Sequence, residues 1–273
     1  MNPLKNLFAF YINSSIHVAL AVTALTAISA LHFGFSPDPY LLFFIFFGTV
    51  TAYNFIKFAG IAKLHHRSLT ANLKVIQVFS FFSFIALVYF VFHVKPEILL
   101  ISGVFGVLTL FYALPFYGER NLRTIGGIKI YIIAIMWGGV TVFCPVRNAG
   151  MEVTGDVLLE FMQRVLLVLV LLIPFEIRDL KYDNAALKTL PQNIGVKKTK
   201  LLGLVLLVLI NVLEYFKSSM TNVSLAALVL MALIAVWFVL KSKEDQSRYF
   251  SSFWVEGIPI LWLGILLLLK NVL

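Results

Sequence analysis

Apolar stretches of about 20 residues, the length an α-helix needs to cross the hydrocarbon core of a bilayer, recur almost end to end along this chain. They fall near 14–33, 40–62, 75–94, 98–116, 128–146, 157–177, 201–216, 224–240 and 253–273. The pattern predicts an all-α fold: a polytopic membrane bundle of nine transmembrane helices, with residues 1–273 forming a single integral-membrane domain. The seventh and eighth stretches are short, so their ends are the least defined. The first, SSIHVALAVTALTAISALHF, is as long as a full span and reads as a retained helix, not a cleaved signal.

Composition agrees with lipid as the solvent. Apolar residues make up 60% of the chain and charged residues 13%, against roughly 25% charged in a soluble domain; mean hydropathy is +0.94. The net charge of +9 would suggest nucleic acid in a soluble protein. Here the basic residues cluster between the apolar stretches, so no nucleic-acid partner is expected. Of the 22 Lys and Arg, all but Lys95, Arg147, Arg164, Lys217 and Lys270 fall on one set of alternating connections and their flanking helix ends. The positive-inside rule then places the N-terminus in the cytoplasm. Compact connections suit a bacterial inner membrane. Cys144 is the single cysteine, which rules out an intrachain disulfide and a cysteine-based metal cluster.

The polar residues gather on the cytoplasmic connections, most densely in PFEIRDLKYDNAALKTLPQNIGVKKTK, 174–200. Glu176, Asp179 and Asp183 share one helix face at spacings i, i+3 and i+7. Carboxylates so placed suit Mg2+, which prefers oxygen ligands and bridges to phosphates. Arg178, Lys181, Lys188 and the 197–200 cluster add cations suited to a phosphate ester. The alternative is a solvated loop whose opposite charges pair weakly. Spacing alone leaves both open. TLPQNIG reads as a turn entering another helix.

These residues resemble the second aspartate-rich motif of the UbiA superfamily of intramembrane prenyltransferases. Asp179, Asp183, Thr189, Leu190, Pro191 and Gly195 fall on matching positions, Glu176 stands where an aspartate is common, and Tyr182 and Leu187 replace glycines. FYALPFYGERNLR resembles a second family segment through Tyr112, Pro115, Arg120 and Arg123, and HHRSLT a third through Arg67 and Leu69. The resemblance implies a nine-helix bundle with aspartate-rich motifs after helices two and six. It also implies transfer of an isoprenyl group from a diphosphate to a lipophilic, often aromatic or quinone-pathway, acceptor. It further implies Asp179 and Asp183 as catalytic residues and, with Glu176, as ligands of Mg2+. Asn54, Lys57, Arg67, Tyr112, Arg120, Arg123, Arg178 and Lys188 are the candidate substrate contacts.

The first motif departs from the family. Asn54 is present, but Phe55, Phe58 and Ala62 occupy the aspartate positions, and apolar side chains cannot coordinate a metal. Lys57, on the Asn54 face of its helix, either neutralises diphosphate charge or snorkels to the interface. Two functions follow: a prenyltransferase, or a non-catalytic relative that binds a phosphorylated lipid or scaffolds a membrane enzyme. A transporter ranks below both, because no inverted repeat is visible. The sequence does not fix the acceptor, donor chain length or oligomeric state. Elsewhere, Glu160 and Arg164 suit an i, i+4 ion pair, His17 a hydrogen-bonded packing role, and His65–His66 a basic turn. Glu256 is read either as lining a cavity or as satisfying freed backbone.

Overall fold

The computed structural model describes residues 3–61, 71–114, 122, 127–184 and 187–272. Among these residues the regular structure is entirely helical. The elements are α1 (Pro3–Asn13), α2 (Ile16–His32), α3 (Pro39–Ile61), α4 (Ala71–Val91), α5 (Pro96–Ala113), α6 (Lys129–Asn148), α7 (Gly155–Asp179), α8 (Leu190–Ile194), α9 (Val196–Glu214), α10 (Asn222–Lys241) and α11 (Ile258–Val272). A π-helical turn, Phe250–Val255, precedes α11. Among the described residues, seven helices are long and apolar enough to cross a membrane, and α1 with α2 forms an eighth candidate, bent by 55°. The 19-residue α9 carries Lys197, Lys198 and Lys200 at its start.

The bend lies in Asn13-Ser14-Ser15. Ser15 adopts a left-handed conformation (φ 67°), which a non-glycine residue reaches only at a cost. Backbone groups freed inside a membrane must find partners within the protein. Here α3 supplies them. Asn54 Nδ2 donates to Ser14 O at 3.1 Å and Lys57 Nζ donates to Asn13 O at 3.0 Å. The sequence placed the first apolar stretch from residue 14. In the structure this position is instead the break between two helices.

α7 is the central post. Leu167, Val170, Ile173 and Ile177 are buried against α2, α9, α10 and α11. Small residues let helices approach closely. A Cβ on Gly139 of α6 would sit 1.8 Å from the Phe105 ring of α5, and α2 buries alanines at 19, 21, 24, 27 and 30. By contrast α4 exposes Phe81, Phe82, Phe84 and Val88, the apolar face expected against lipid chains.

The expected Glu160–Arg164 pair is present at 2.6 Å, and it belongs to a larger buried network. Glu160 also accepts from Lys217 and contacts His32, while Lys217 bridges to Glu214 at 2.8 Å. Arg164 reaches Leu25 O and Ser29 Oγ of α2. Two acids and two bases thus tie α2, α7, α9 and the turn before α10 together. His17 is a packing residue: its ring is hydrogen-bonded to Tyr11 and to the Phe253 carbonyl. His65 and His66 lie outside the described residues.

Candidate functional site

A cavity of about 740 Å3 lies among α2, α3, α4, α5 and α6. Its wall on α5 runs from Leu99 to Tyr112, about 20 Å at the rise of an α-helix. Phe44, Ile45, Leu87, Phe105, Met136 and Val140 make it largely apolar. Its charged side chains are Lys57 and Arg178. Lys57 of α3, Tyr112 of α5 and Arg178 of α7 all line it, and each stands in the last turn or two of its helix. The cavity is thus an apolar slot with a cationic, phenolic mouth.

Local structure positions each group. Lys57 Nζ donates to Asn13 O and, at 2.7 Å, to Ser15 Oγ. Both partners are neutral oxygens, so its charge is not cancelled by direct contact. An ammonium has three N–H donors, which leaves one directed to neither partner. Asn54 is buried and holds this corner together: Oδ1 accepts from Ser15 Oγ, and Nδ2 donates to Ser14 O and Ser80 Oγ. Asn54 therefore supports Lys57 and is not part of the cavity lining. Trp137 Nε1 donates to Tyr53 OH at 2.9 Å, fixing a further phenol on the cavity wall. Arg178 Nε and a terminal nitrogen are held by Asp179 Oδ1 and Oδ2 at 2.7 and 3.2 Å, with the guanidinium over the Phe175 ring. Glu256, just after the π-turn, interacts electrostatically with Lys57 and Arg178. Sequence reasoning left its role open; the structure places it near the cationic mouth.

The acid cluster has a different surrounding from the one its spacing suggested. Glu176 is 3% exposed, and Lys129 Nζ lies 2.7 Å from its Oε1. The same ammonium lies 3.9 Å from Asp183 Oδ2. Asp179 is occupied by Arg178. Among the described residues, no three His, Cys, Asp or Glu side chains are grouped to hold a metal ion. The helix the spacing implied stops at Asp179, and Asp183 lies in the turn beyond it, its backbone N–H donating to Asp179 O at 2.8 Å. A lysine and an arginine sit where Mg2+ would need converging oxygens, so the arrangement does not fit a resident metal. Lys129, the residue responsible, was counted among the cytoplasmic basic residues only for orientation. Nothing in its local sequence points to an acid on another helix.

The other expected contacts divide. Lys188 is exposed, in a left-handed conformation (φ 43°), with its carbonyl accepting from Asn193; it is not in the cavity lining. Arg67, Arg120 and Arg123 lie outside the described residues, as does Ala62. Thr189 starts α8, its backbone N–H donating to Gln192 Oε1, so TLPQNIG forms the predicted turn into a helix.

No protein-family model matches the sequence, and no curated protein matches it. Solved structures do match, along nearly the whole chain. A UbiA homolog from Aeropyrum pernix is 15% identical over 94% of this chain and 98% of its own, with a TM-score of 0.67. A UbiA homolog from Archaeoglobus fulgidus bound to DMAPP and Mg2+ is 13% identical over 97% and 99%, with a TM-score of 0.61. A digeranylgeranylglyceryl phosphate synthase is 16% identical over 98% of both chains, with a TM-score of 0.55. The chain therefore has the fold of the UbiA superfamily.

Proposed function

We propose that the cavity holds an isoprenyl diphosphate and that the protein is a membrane prenyltransferase moving the isoprenyl group to a lipophilic acceptor. The observation that carries this reading is the pairing of an apolar slot with a mouth formed by Lys57, Tyr112 and Arg178. A ligand with a long apolar tail and a strongly anionic head matches both ends. Two structures sharing the fold contain such ligands, DMAPP and GPP.

The proposed chemistry is ionisation of the allylic C–O bond. The bond electrons leave with the diphosphate, and the allylic carbon becomes electrophilic. Lys57 and Arg178 stabilise the charge developing on the departing diphosphate. Tyr112 donates a hydrogen bond to it in this proposal. Apolar walls keep water from the cation until the acceptor attacks the allylic carbon and loses a proton. Asp179 acts through Arg178 by fixing the guanidinium plane. Glu176 and Asp183 act through Lys129. Arg67, Arg120, Arg123 and Lys188 complete the diphosphate contacts in this proposal.

The proposal also carries an orientation. Nine spans, with α9 counted among them, put the N-terminus and the cationic mouth in the cytoplasm, where charged donors are met. The chain then acts as one domain over 1–273.

The direct test is turnover. Purified protein in nanodiscs is incubated with isoprenyl diphosphates of several chain lengths and an extract of lipophilic acceptors, and diphosphate release and prenylated product are measured. Release matched by product, and lost in Arg178→Met, supports the proposal. Binding without release favours the non-catalytic lipid-binding alternative, and absence of both removes the diphosphate reading.

A further inference from the structure

Lys129 is the first residue of α6. A cation there faces the positive end of its own helix dipole and is disfavoured by it. Its surroundings compensate through the acids of α7: Glu176 Oε1 at 2.7 Å and Asp183 Oδ2 at 3.9 Å. Among the described residues Asp183 Oδ2 is buried and has no hydrogen-bond partner, and the Lys129 ammonium lies 3.9 Å from it. The backbone holds this register. Gly127 takes φ 77°, and its N–H donates to Leu187 O at 2.9 Å, docking the start of α6 on the segment that follows the acids.

An ammonium and a divalent ion compete for the same gap. Mg2+ needs carboxylate oxygens at about 2.0–2.1 Å in octahedral array. A lysine nitrogen between two of the three acids fills that space and removes the charge that would attract the ion. The first-motif position adds to this: Phe55 and Phe58 offer no oxygen, and Lys57 stands between them in sequence. Among the described residues, no group of acids is set to hold a metal, and a lysine stands at each of the two motif positions.

On the reading of the cavity as an isoprenyl diphosphate site, we propose that Lys129 is a built-in cation occupying the place of a divalent metal between Glu176 and Asp183, so that the diphosphate is bound without Mg2+. Lys129 is then a positioning residue. It neutralises the acids that would repel the ligand, while Lys57 and Arg178 touch it.

The test is calorimetric binding of geranyl diphosphate to the full-length protein in nanodiscs, in EDTA and in Mg2+, paired with an electron paramagnetic resonance titration of Mn2+. The wild-type dissociation constants are expected to agree within about threefold, with no bound Mn2+ signal. Lys129→Met, which frees the acids, is expected to bind Mn2+ and to gain at least about tenfold in affinity from Mg2+. Lys129→Arg keeps the charge and is expected to remain metal-independent, which guards against a folding defect in the methionine variant. Wild-type binding that needs Mg2+ by tenfold or more overturns the inference while leaving the diphosphate reading intact. So does a wild-type Mn2+ signal abolished by Asp183→Asn. Absence of ligand binding in both buffers removes the diphosphate reading, whereas the Mn2+ comparison still decides the place of Lys129.

Discussion

Lys57 Nζ lies 2.7 Å from Ser15 Oγ, and that contact joins the proposed ligand site to the break between the first two helices. The carbonyls freed by the break and the ammonium at the cavity mouth satisfy each other. The broken helix is therefore part of how the site is built: its direct contacts fix a cation on an apolar wall through neutral oxygens.

Asn54 is expected to be a stability residue more than a binding one. It is 1% exposed and bonds Ser14, Ser15 and Ser80. Removing one partner of a buried hydrogen-bonded set costs about 1–3 kcal/mol. Asn54→Ala should lower the detergent unfolding midpoint by that amount, measured by urea or thermal denaturation. Asn54→Asp, which retains an acceptor, should be damaged as well because two of the three bonds use the amide as donor.

The α7–α9 network gives a pH prediction. Burial alone would depress the Lys217 ammonium pKa, but Glu160 and Glu214 outweigh it and hold it raised. A raised folded value contributes stability below the unfolded value, and that contribution is lost as pH rises through the folded one. The melting temperature should therefore be insensitive to this lysine from neutral pH up to the ordinary lysine value of about 10.4, then decline above it. Lys217→Met should remove that alkaline decline and cost about 3–5 kcal/mol at neutral pH, because it strands buried carboxylates. A midpoint unchanged by the substitution at pH 7 would contradict this assignment.

Cavity length should set the donor chain. Gly103 and Gly106 of α5 line the cavity, and an added Cβ at either meets no atom within 4 Å. Gly103→Phe, deeper from the mouth than Gly106→Phe, should therefore fill the slot without a packing penalty. Affinity for longer isoprenyl diphosphates should fall by about tenfold or more, with short ones spared. Stability should stay level or rise, since a helix-interior glycine costs roughly 0.5–1 kcal/mol relative to alanine. Gly139→Ala is the contrasting control: the Phe105 ring 1.8 Å from the new Cβ should make it destabilising by about 1–3 kcal/mol.

Periodic apolar length was enough to place the membrane helices, because crossing a bilayer is a one-dimensional constraint. α3, α5, α6, α7 and α10 lie close to where the sequence put them. The start of α9 was missed, since Lys197, Lys198 and Lys200 interrupt the apolar count although the helix runs through them. At the site, the spacing put Glu176, Asp179 and Asp183 on one helix; in the structure α7 carries Glu176 and ends at Asp179, and Asp183 follows in the next turn. What surrounds them was hidden, because Lys129 approaches from another helix and Arg178 turns back on its neighbour. Pairing across helices depends on rotation and depth, and neither is written in any local segment. Lys57 was noticed only because it stood where acids were absent; its second role, capping the broken α1, needed the fold.

The central claim is that Lys57 grips the head of a diphosphate whose tail lies in the apolar slot. Its most direct test is the ratio of affinities for geranyl diphosphate and for geraniol, measured in wild type, Lys57→Met and Lys57→Arg. A hydrogen bond to a charged group is worth about 1.5–3 kcal/mol, so Lys57→Met should weaken the diphosphate by about tenfold to hundredfold. Geraniol affinity should stay the same, and Lys57→Arg should restore most of the loss. Equal weakening of both ligands, or no change in the diphosphate, would contradict the account.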